Sequence, residues 1–409
     1  GVNAIAAISV FFPILFLLLA FVIGLSSGAT VLVGKAWGAK NIEKVRTIVG
    51  SLLFMTLIGG TIIALVGAFF SKHILLLLGI DPKIMHLSLP YVRWMLLGSP
   101  FLFIYITYTS ILRGVGDSTT PLIASGLTIV VGMITTPILI RGYFGFPQMG
   151  IVAPAIASIL GFIGVLIFLY IYLNKKNHVL RPDAALIAHI RHHPELSRII
   201  LRLGIPTGIQ MVTNSVAGLV VIGLVNQYGA HATAAYGAVN QVLNYIQFPA
   251  LSIAIAGSIF AAQAIGAGKS ELLAKVTKVA LLSNIVITGS LVIIAYLASK
   301  YLMALFITDP SVIELGQQLL FIVLWSILFF GAGAIFASIM RASGTVNVPM
   351  LFNILAIVLI EIPCAYLFSQ WFGLQGIWYA LALTFFSLCL MQGLYYQFVW
   401  KKKTIKILV

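Results

Sequence analysis

Chemistry in an apolar chain starts from its rare charges, and this 409-residue sequence sets nine carboxylates against 24 Lys and Arg. Glu43, Asp81, Asp117, Asp183, Glu195, Glu271, Asp309 and Glu314 fall in polar stretches or at the edges of apolar ones. Glu361 differs, because it lies mid-run, after Pro349 and before Phe368. A charged carboxylate without a partner is costly at membrane depth, so it must meet a partner or water, or stay protonated. A carboxyl group in that position can exchange a proton or bind a cation when water reaches it. It can equally serve as a protonated hydrogen-bond donor gluing two helices together, and the residue types leave both readings open. Pro363, two positions on, has no N–H and frees a helix carbonyl nearby.

Uncharged polar residues gather in the same half of the chain. At helical spacing Gln210, Thr213 and Asn214 share a face, as do Asn240, Asn244 and Gln247, with Gln241 beside them. Asn353 precedes Glu361 by eight positions and is expected on its face. Helices in lipid turn such groups inward, where they bond neighbours or line a wet cavity. Tyr105, Tyr108 and Thr109 are the nearest equivalents in the first half, suited either to packing or to stacking on an organic cation.

Other chemistries lack residues. The seven histidines, at 73, 86, 178, 189, 192, 193 and 231, all lie in or beside polar stretches. The sequence contains no H-E-x-x-H and no G-x-x-x-x-G-K-[ST], so a zinc protease and an ATP-driven pump have nothing to run on. Cys364 and Cys389 fall within apolar runs, which argues against a disulfide or a metal site. No enzyme, no metal and no organic cofactor are therefore expected.

The elements that must hold these residues follow from composition. Hydrophobic residues make up 61% of the chain and charged residues 8%, with a mean hydropathy of +1.11. A soluble domain is about 25% charged, so that class is excluded. Eleven apolar runs are each long enough for a bilayer core, which needs about 20 residues. They are Ile5–Val33, Ile48–Phe70, Tyr91–Leu112, Pro121–Ile140, Ile151–Leu173, Ile199–Val225, Gln241–Ile265, Val279–Leu297, Leu319–Ile339, Pro349–Phe368 and Ile377–Val399. With loops on alternating sides, nineteen of the 24 Lys and Arg share one side, Lys406 among them. The other side holds Lys72, Lys83, Arg93, Arg141 and Lys300. That bias marks the richer side, with the C-terminus, as cytoplasmic in a plasma (bacterial inner) membrane. It also accounts for the net charge of +15 without nucleic acid as a partner.

At an offset of 228 residues the chain matches itself: Gly1 falls on Gly229, Gly38-Ala39 on Gly266-Ala267 and Asp81-Pro82 on Asp309-Pro310. Ser71-Lys72 falls on Ser299-Lys300, and Arg113, Gly116 and Pro121 fall on Arg341, Gly344 and Pro349. An even number of runs separates the copies, so both face the same way, as in a parallel repeat. The expected organisation is an N-terminal bundle over 1–174, a polar cytoplasmic linker over 175–198 with a short helix opened by Pro194-Glu195, and a C-terminal bundle over 199–409. The linker histidines are read as a solvated, lipid-headgroup-facing surface, a pH sensor being the alternative. The second copy has one run, Ile199–Val225, before its match to Gly1, whose counterpart would precede the chain. The parent is thus read as six plus six helices with the first absent here, a true eleven-helix protein being the alternative. The Gly38 and Gly266 loops are expected to be amphipathic interfacial helices, and the Arg-x-x-Gly pairs tight cytoplasmic turns.

Three stretches resemble the multidrug and toxic compound extrusion (MATE) family. They are Leu25-Ser26-Ser27-Gly28-Ala29-Thr30 running into Ala36-Trp37-Gly38-Ala39-Lys40, the turn Arg113-Gly114-Val115-Gly116-Asp117-Ser118, and Ala234-Ala235-Tyr236-Gly237-Ala238-Val239-Asn240-Gln241. The resemblance extends over essentially the whole chain. It implies an all-α membrane fold of two bundles around a central cleft, and export of organic compounds against inward H⁺ or Na⁺. Family members often couple through acids on the first, seventh and tenth helices. Here Asn214 stands where some members carry Glu on the seventh helix, and Leu319–Ile339 holds no acid.

The expected function is therefore cation-coupled export of amphipathic, cationic compounds by alternating access, from a single copy in the bilayer. Coupling would run through Glu361, Asn214 and Asn353. The cavity would be lined by Gln210, Thr213, Asn240, Gln241, Asn244, Gln247, Tyr105, Tyr108 and Thr109. A flippase for lipids or lipid-linked oligosaccharides is the alternative, although only Arg93 approaches a run interior to meet a pyrophosphate. A non-transporting scaffold would not need inward polar residues on several helices.

Overall fold

The computed structural model describes residues 2–405, and no strand occurs among the described residues. Gly1 and Lys406, used above in the repeat and the charge bias, lie outside them. Among the described residues ten stretches are long and apolar enough to cross a bilayer, and a helix pair bent by 46° makes an eleventh. They coincide with the eleven runs expected from composition. Large apolar side chains such as Phe69, Leu122 and Leu297 stand exposed on their outer faces, where only lipid can satisfy them.

The chain divides into two compact units, Gly1–Gly208 and Ile209–Val409. In the first, α1 is Val2–Ser9, α2 Phe12–Gly38, α3 Ile42–Leu77, α4 Pro82–Leu97, α5 Ser99–Gly114, α6 Thr119–Arg141, α7 Ala153–Lys175 and α8 Ala184–Ala188. Helix α9, Pro194–Asn226, contains the division. In the second unit α10 is Ala230–Gly266, α11 Leu272–Leu297, α12 Ser299–Ala304, α13 Pro310–Val323, α14 Ile327–Ala342, α15 Asn347–Leu355, α16 Ile362–Phe372 and α17 Leu374–Phe398.

The repeat reappears inside each unit as matched chemistry at helix ends. Asp81 accepts from the Lys83 amide at 2.9 Å to start α4, and Asp309 accepts from the Ser311 amide at 2.9 Å to start α13. Each is followed by a proline, which lacks the N–H that a first turn leaves unpaired in any case. At the end of α5, Gly116 (φ 91) donates to Arg113 and Asp117 to Leu112; at the end of α14, Gly344 (φ 98) donates to Arg341 and Thr345 to Met340. This left-handed cap reverses the chain within a few residues and explains the glycine in both Arg-x-x-Gly turns. The cores match as well. Phe11, Ile14, Leu18, Tyr91, Val92 and Leu96 pack together in the first unit, and Val239, Val242, Ile246, Leu319, Leu320 and Leu324 at the corresponding places in the second.

Proline and glycine also set the bend. Pro100 cannot continue α4, so α4 ends at Leu97 and α5 restarts at Ser99, whose hydroxyl donates to the Gly60 carbonyl at 3.2 Å. The place of Gly98 is taken in the second copy by Ser326, at the end of the tight turn Leu324–Ser326.

Three expectations change. The Gly38 and Gly266 loops are not interfacial helices. Lys40 (φ 57) and Gly268 (φ 71) cap α2 and α10 in left-handed turns, and the next helix starts at Ile42 or Leu272. Pro194-Glu195 opens α9 itself, and the short linker helix is α8, whose first turn is capped by Asp183 through the Leu186 amide at 2.9 Å. The boundary between units falls after Gly208 rather than at 198, because the start of α9 packs against α2. A methyl group added at Gly28 would sit 2.8 Å from the Ile200 carbonyl oxygen, and one at Gly24 would sit 2.9 Å from that of Gly204.

Candidate functional site

In the second unit one span is irregular. Between α15 and α16 the turn Ala356–Glu361 is π-helical, and Glu361 is its last residue. A π turn takes in one extra residue, so positions eight apart across it fall nearly as positions seven apart do in an α-helix. A straight α-helix would leave Asn353 and Glu361 about 80° apart, whereas the π turn brings them onto one face. They remain about 10–12 Å apart along the axis. No Glu361–Asn353 hydrogen bond is made, and the Asn353 side-chain amide oxygen is buried with no partner among the described residues.

Beyond Glu361 the chain meets α10. Tyr236 of α10 packs against the cluster that holds Cys364 and Ala365, just past Glu361, and Asn240 lies one turn further along α10. The Tyr236 ring lies 5.6 Å from that of Trp378 on α17. The Trp378 indole N–H is buried, with no acceptor among the described residues. Helices α10, α16 and α17 meet here in one apolar cluster through Ala232, Ala365, Ile377 and Ala380. The carboxylate has no ion-pair partner among the described residues. Glu361, Tyr236, Asn240, Asn353 and Trp378 thus offer a carboxylate, a phenol, an amide, an orphan acceptor and an orphan donor. Tyr236 and Trp378 were not singled out above. The four-residue spacing from Tyr236 to Asn240 was a usable signal; nothing local marked Trp378.

The remaining candidates are distributed as follows. Gln210 accepts from the Arg341 guanidinium at 3.2 Å, a bond from α14 to α9. Thr213 bonds back to the Ile209 carbonyl on its own helix. Asn214, Gln241 and Asn244 are exposed and Gln247 half-buried, and none of the four makes a side-chain hydrogen bond among the described residues. In the first unit, Tyr105 bonds Ser125 at 3.1 Å and stacks on Phe162. Tyr108 is buried and donates to the Leu180 carbonyl at 2.7 Å, and Thr109 bonds its own helix. Tyr105 thus ties α5 to α6 and Tyr108 ties α5 to the linker, while Thr109 stays within α5.

A helical membrane protein with two like units and a carboxylate on a broken span has the build of a secondary transporter. The sequence profile of the MatE family matches residues 1–138 and 206–367, and the chain belongs to that family of multidrug-efflux transporters. It is 42% identical over 412 residues to "Probable multidrug resistance protein YoeA" of Bacillus subtilis, covering 100% of this chain and 89% of that protein. It is 28% identical to "Probable multidrug resistance protein YpnP" of the same organism, covering 98% of this chain and 88% of that one. Among solved structures, a MATE protein in complex with MaL6 matches with a TM-score of 0.89 at 20% identity, over 97% of this chain and 88% of that one. The expected all-helical transporter fold is confirmed.

Proposed function

We propose that this chain is an antiporter that exports amphipathic, cationic organic compounds in exchange for protons, sodium being the alternative coupling ion. The observation that carries the reading is Glu361, set at the end of a π-helical turn whose following helix packs with Tyr236 of α10. π turns interrupt helices at functional places more often than elsewhere. The orphan groups of Asn353 and Trp378 add polar capacity that a structural carboxylate would use up. Asn214, Asn244, Gln241 and Gln247, with no side-chain hydrogen bond among the described residues, are proposed to line the substrate path with Gln210, Thr213 and Asn240. Tyr105, Tyr108 and Thr109 are given a structural role, since their hydroxyls are taken. The names of the relatives from Bacillus subtilis support a drug-like cargo.

Coupling is proposed to run by competition. A proton on Glu361 changes which partners it can hold, and the cation drives the cycle only if it binds the two access states unequally. The bundles would rock in alternating access within the bacterial plasma membrane, a single copy sufficing. The Lys/Arg bias puts the linker and C-terminus in the cytoplasm.

The test is flux in proteoliposomes holding the full chain and a fluorescent organic cation. A pH gradient is expected to drive accumulation, and a sodium gradient without it to drive none. Flux under sodium alone would move the coupling to sodium. Flux under neither gradient would overturn the proposal.

A further inference from the structure

The stretch 177–197, from the end of α7 into the first turn of α9, is bound to the rest of the first unit at five places, four of them within 177–193, and the internal repeat supplies a control for each. Tyr108 donates to the Leu180 carbonyl at 2.7 Å, and Arg46 donates to Val179 at 3.3 Å while lying 3.6 Å from the Asp183 carboxylate. Asp117 lies 3.6 Å from Nε2 of His178, and the Ser51 and Ser197 hydroxyls are 3.4 Å apart. At Gly50 the His189 backbone comes so close that a methyl group would collide with it. Leu180 and Leu186 of the segment are 0% and 1% exposed.

Adding 228 to the five anchoring positions gives Phe336, Ala274, Thr345, Val279 and Lys278. Phe336 has lost the phenol, Ala274 the guanidinium, Thr345 the charge, Val279 the hydroxyl and Lys278 the space. The scaffold residues around them, Arg113, Gly116 and Pro121, are kept as Arg341, Gly344 and Pro349. The copies therefore agree where the helices need it and differ where the segment docks. Tyr108, Arg46, Ser51 and the space at Gly50 serve the segment, while Asp117 serves both the segment and the start of α6 through Thr120.

His178 is the labile point. Its Nδ1 accepts the Leu180 amide proton at 3.1 Å, next to the carbonyl that Tyr108 holds. A protonated imidazole has no lone pair at Nδ1, so charging it breaks that bond. The charged groups around it are Asp117 from the turn after α5, Lys176 at the end of α7, Arg46 from α3, and Arg181 and Asp183 on the segment. Arg46 and Arg181 are occupied by Asp183, and Asp117 is already bonded to the Thr120 amide and hydroxyl.

We propose that residues 177–193 form a strap that docks on the first unit through neutral His178 and lets go when that imidazole takes a proton. Burial pushes the His178 pKa below its ordinary value, with Lys176 helping and Asp117 opposing. A depressed value means the docked form binds fewer protons than the released one. Docking is thus at full strength above about pH 6.5 and weakens as pH falls below it. Asp183 does not titrate in that window, because the Leu186 amide and Arg181 hold its carboxyl below the usual range.

Hydrogen–deuterium exchange on the full chain in lipid nanodiscs, at about pH 7.5 and about pH 5.5 with intrinsic rates divided out, tests this. Protection over 179–187 is expected to fall by roughly tenfold or more at the lower pH, while α5 stays protected. In His178→Asn, whose amide oxygen can accept from Leu180 but cannot take a proton, protection should not change with pH. Tyr108→Phe, which gives the first copy the residue of the second, should lower protection at both pH values. Equal wild-type protection at the two pH values, or an equal acid loss in His178→Asn, would overturn the proposal. Protection of α5 in each variant reports that the unit has folded.

Discussion

Replacing Glu361 with Gln is expected to reduce gradient-driven export by roughly tenfold or more, a coupling free energy of about 1.4 kcal/mol. Glutamine keeps the volume and one carbonyl of the protonated acid, so the α10–α16–α17 packing around Tyr236 and Trp378 survives. It removes only the ability to gain and lose charge. Binding of the organic cation, followed by the fluorescence of the cation itself, should persist, because the amide resembles the protonated state. Losing flux while keeping binding separates a coupling residue from a gluing one. If Glu361 merely donated a hydrogen bond to a neighbouring helix, the amide would do so equally well and export would be undiminished.

The second large effect lies in the first unit. Gly204→Leu is expected to lower the thermal unfolding midpoint strongly, since any Cβ there would meet backbone atoms of Gly24 and Leu25. Backbone cannot rotate away as a side chain can, so α2 and α9 would have to separate. Overpacking costs about 1–3 kcal/mol where side chains adjust, and more where they cannot. Gly218→Ala, further along the same helix with nothing within 4 Å of the added carbon, should be neutral or slightly stabilising. Melting curves of the purified variants in one detergent check both. Similar midpoints for the two would show that the α2–α9 approach is not needed for stability.

How much of this was legible in the sequence depends on the range of the forces involved. The eleven spans were legible because each is a local run whose length is set by the bilayer. The repeat was legible because its caps need particular residues: Asp-Pro to start a helix, Arg-x-x-Gly to end one. Helix ends were drawn short, since α3 continues past its apolar stretch through residues with no helix-breaking signal and α10 runs through Gly237 without a break. The π turn was not legible. Ala-Ile-Val-Leu-Ile-Glu reads as ordinary helix, and Pro363 was the sole hint. Glu361 stood out because so few acids compete with it, but its neighbours on α10 and α17 come from tertiary packing. The role of Tyr108 was invisible for the same reason, its partner Leu180 being 72 positions away.

The length of α3 has a consequence for the membrane in which the protein can live. Its 36 residues span about 54 Å, against a hydrocarbon layer of about 30 Å. Arg46 and Lys72 bracket its apolar middle about 39 Å apart. The cationic ends therefore reach past the acyl chains even in the thicker bilayers a cell makes. A bilayer several ångströms thinner or thicker could be met by a change of tilt, with no charge drawn into the oil. Hydrophobic mismatch should thus be a weak force on this protein, leaving its fold tolerant of lipid composition.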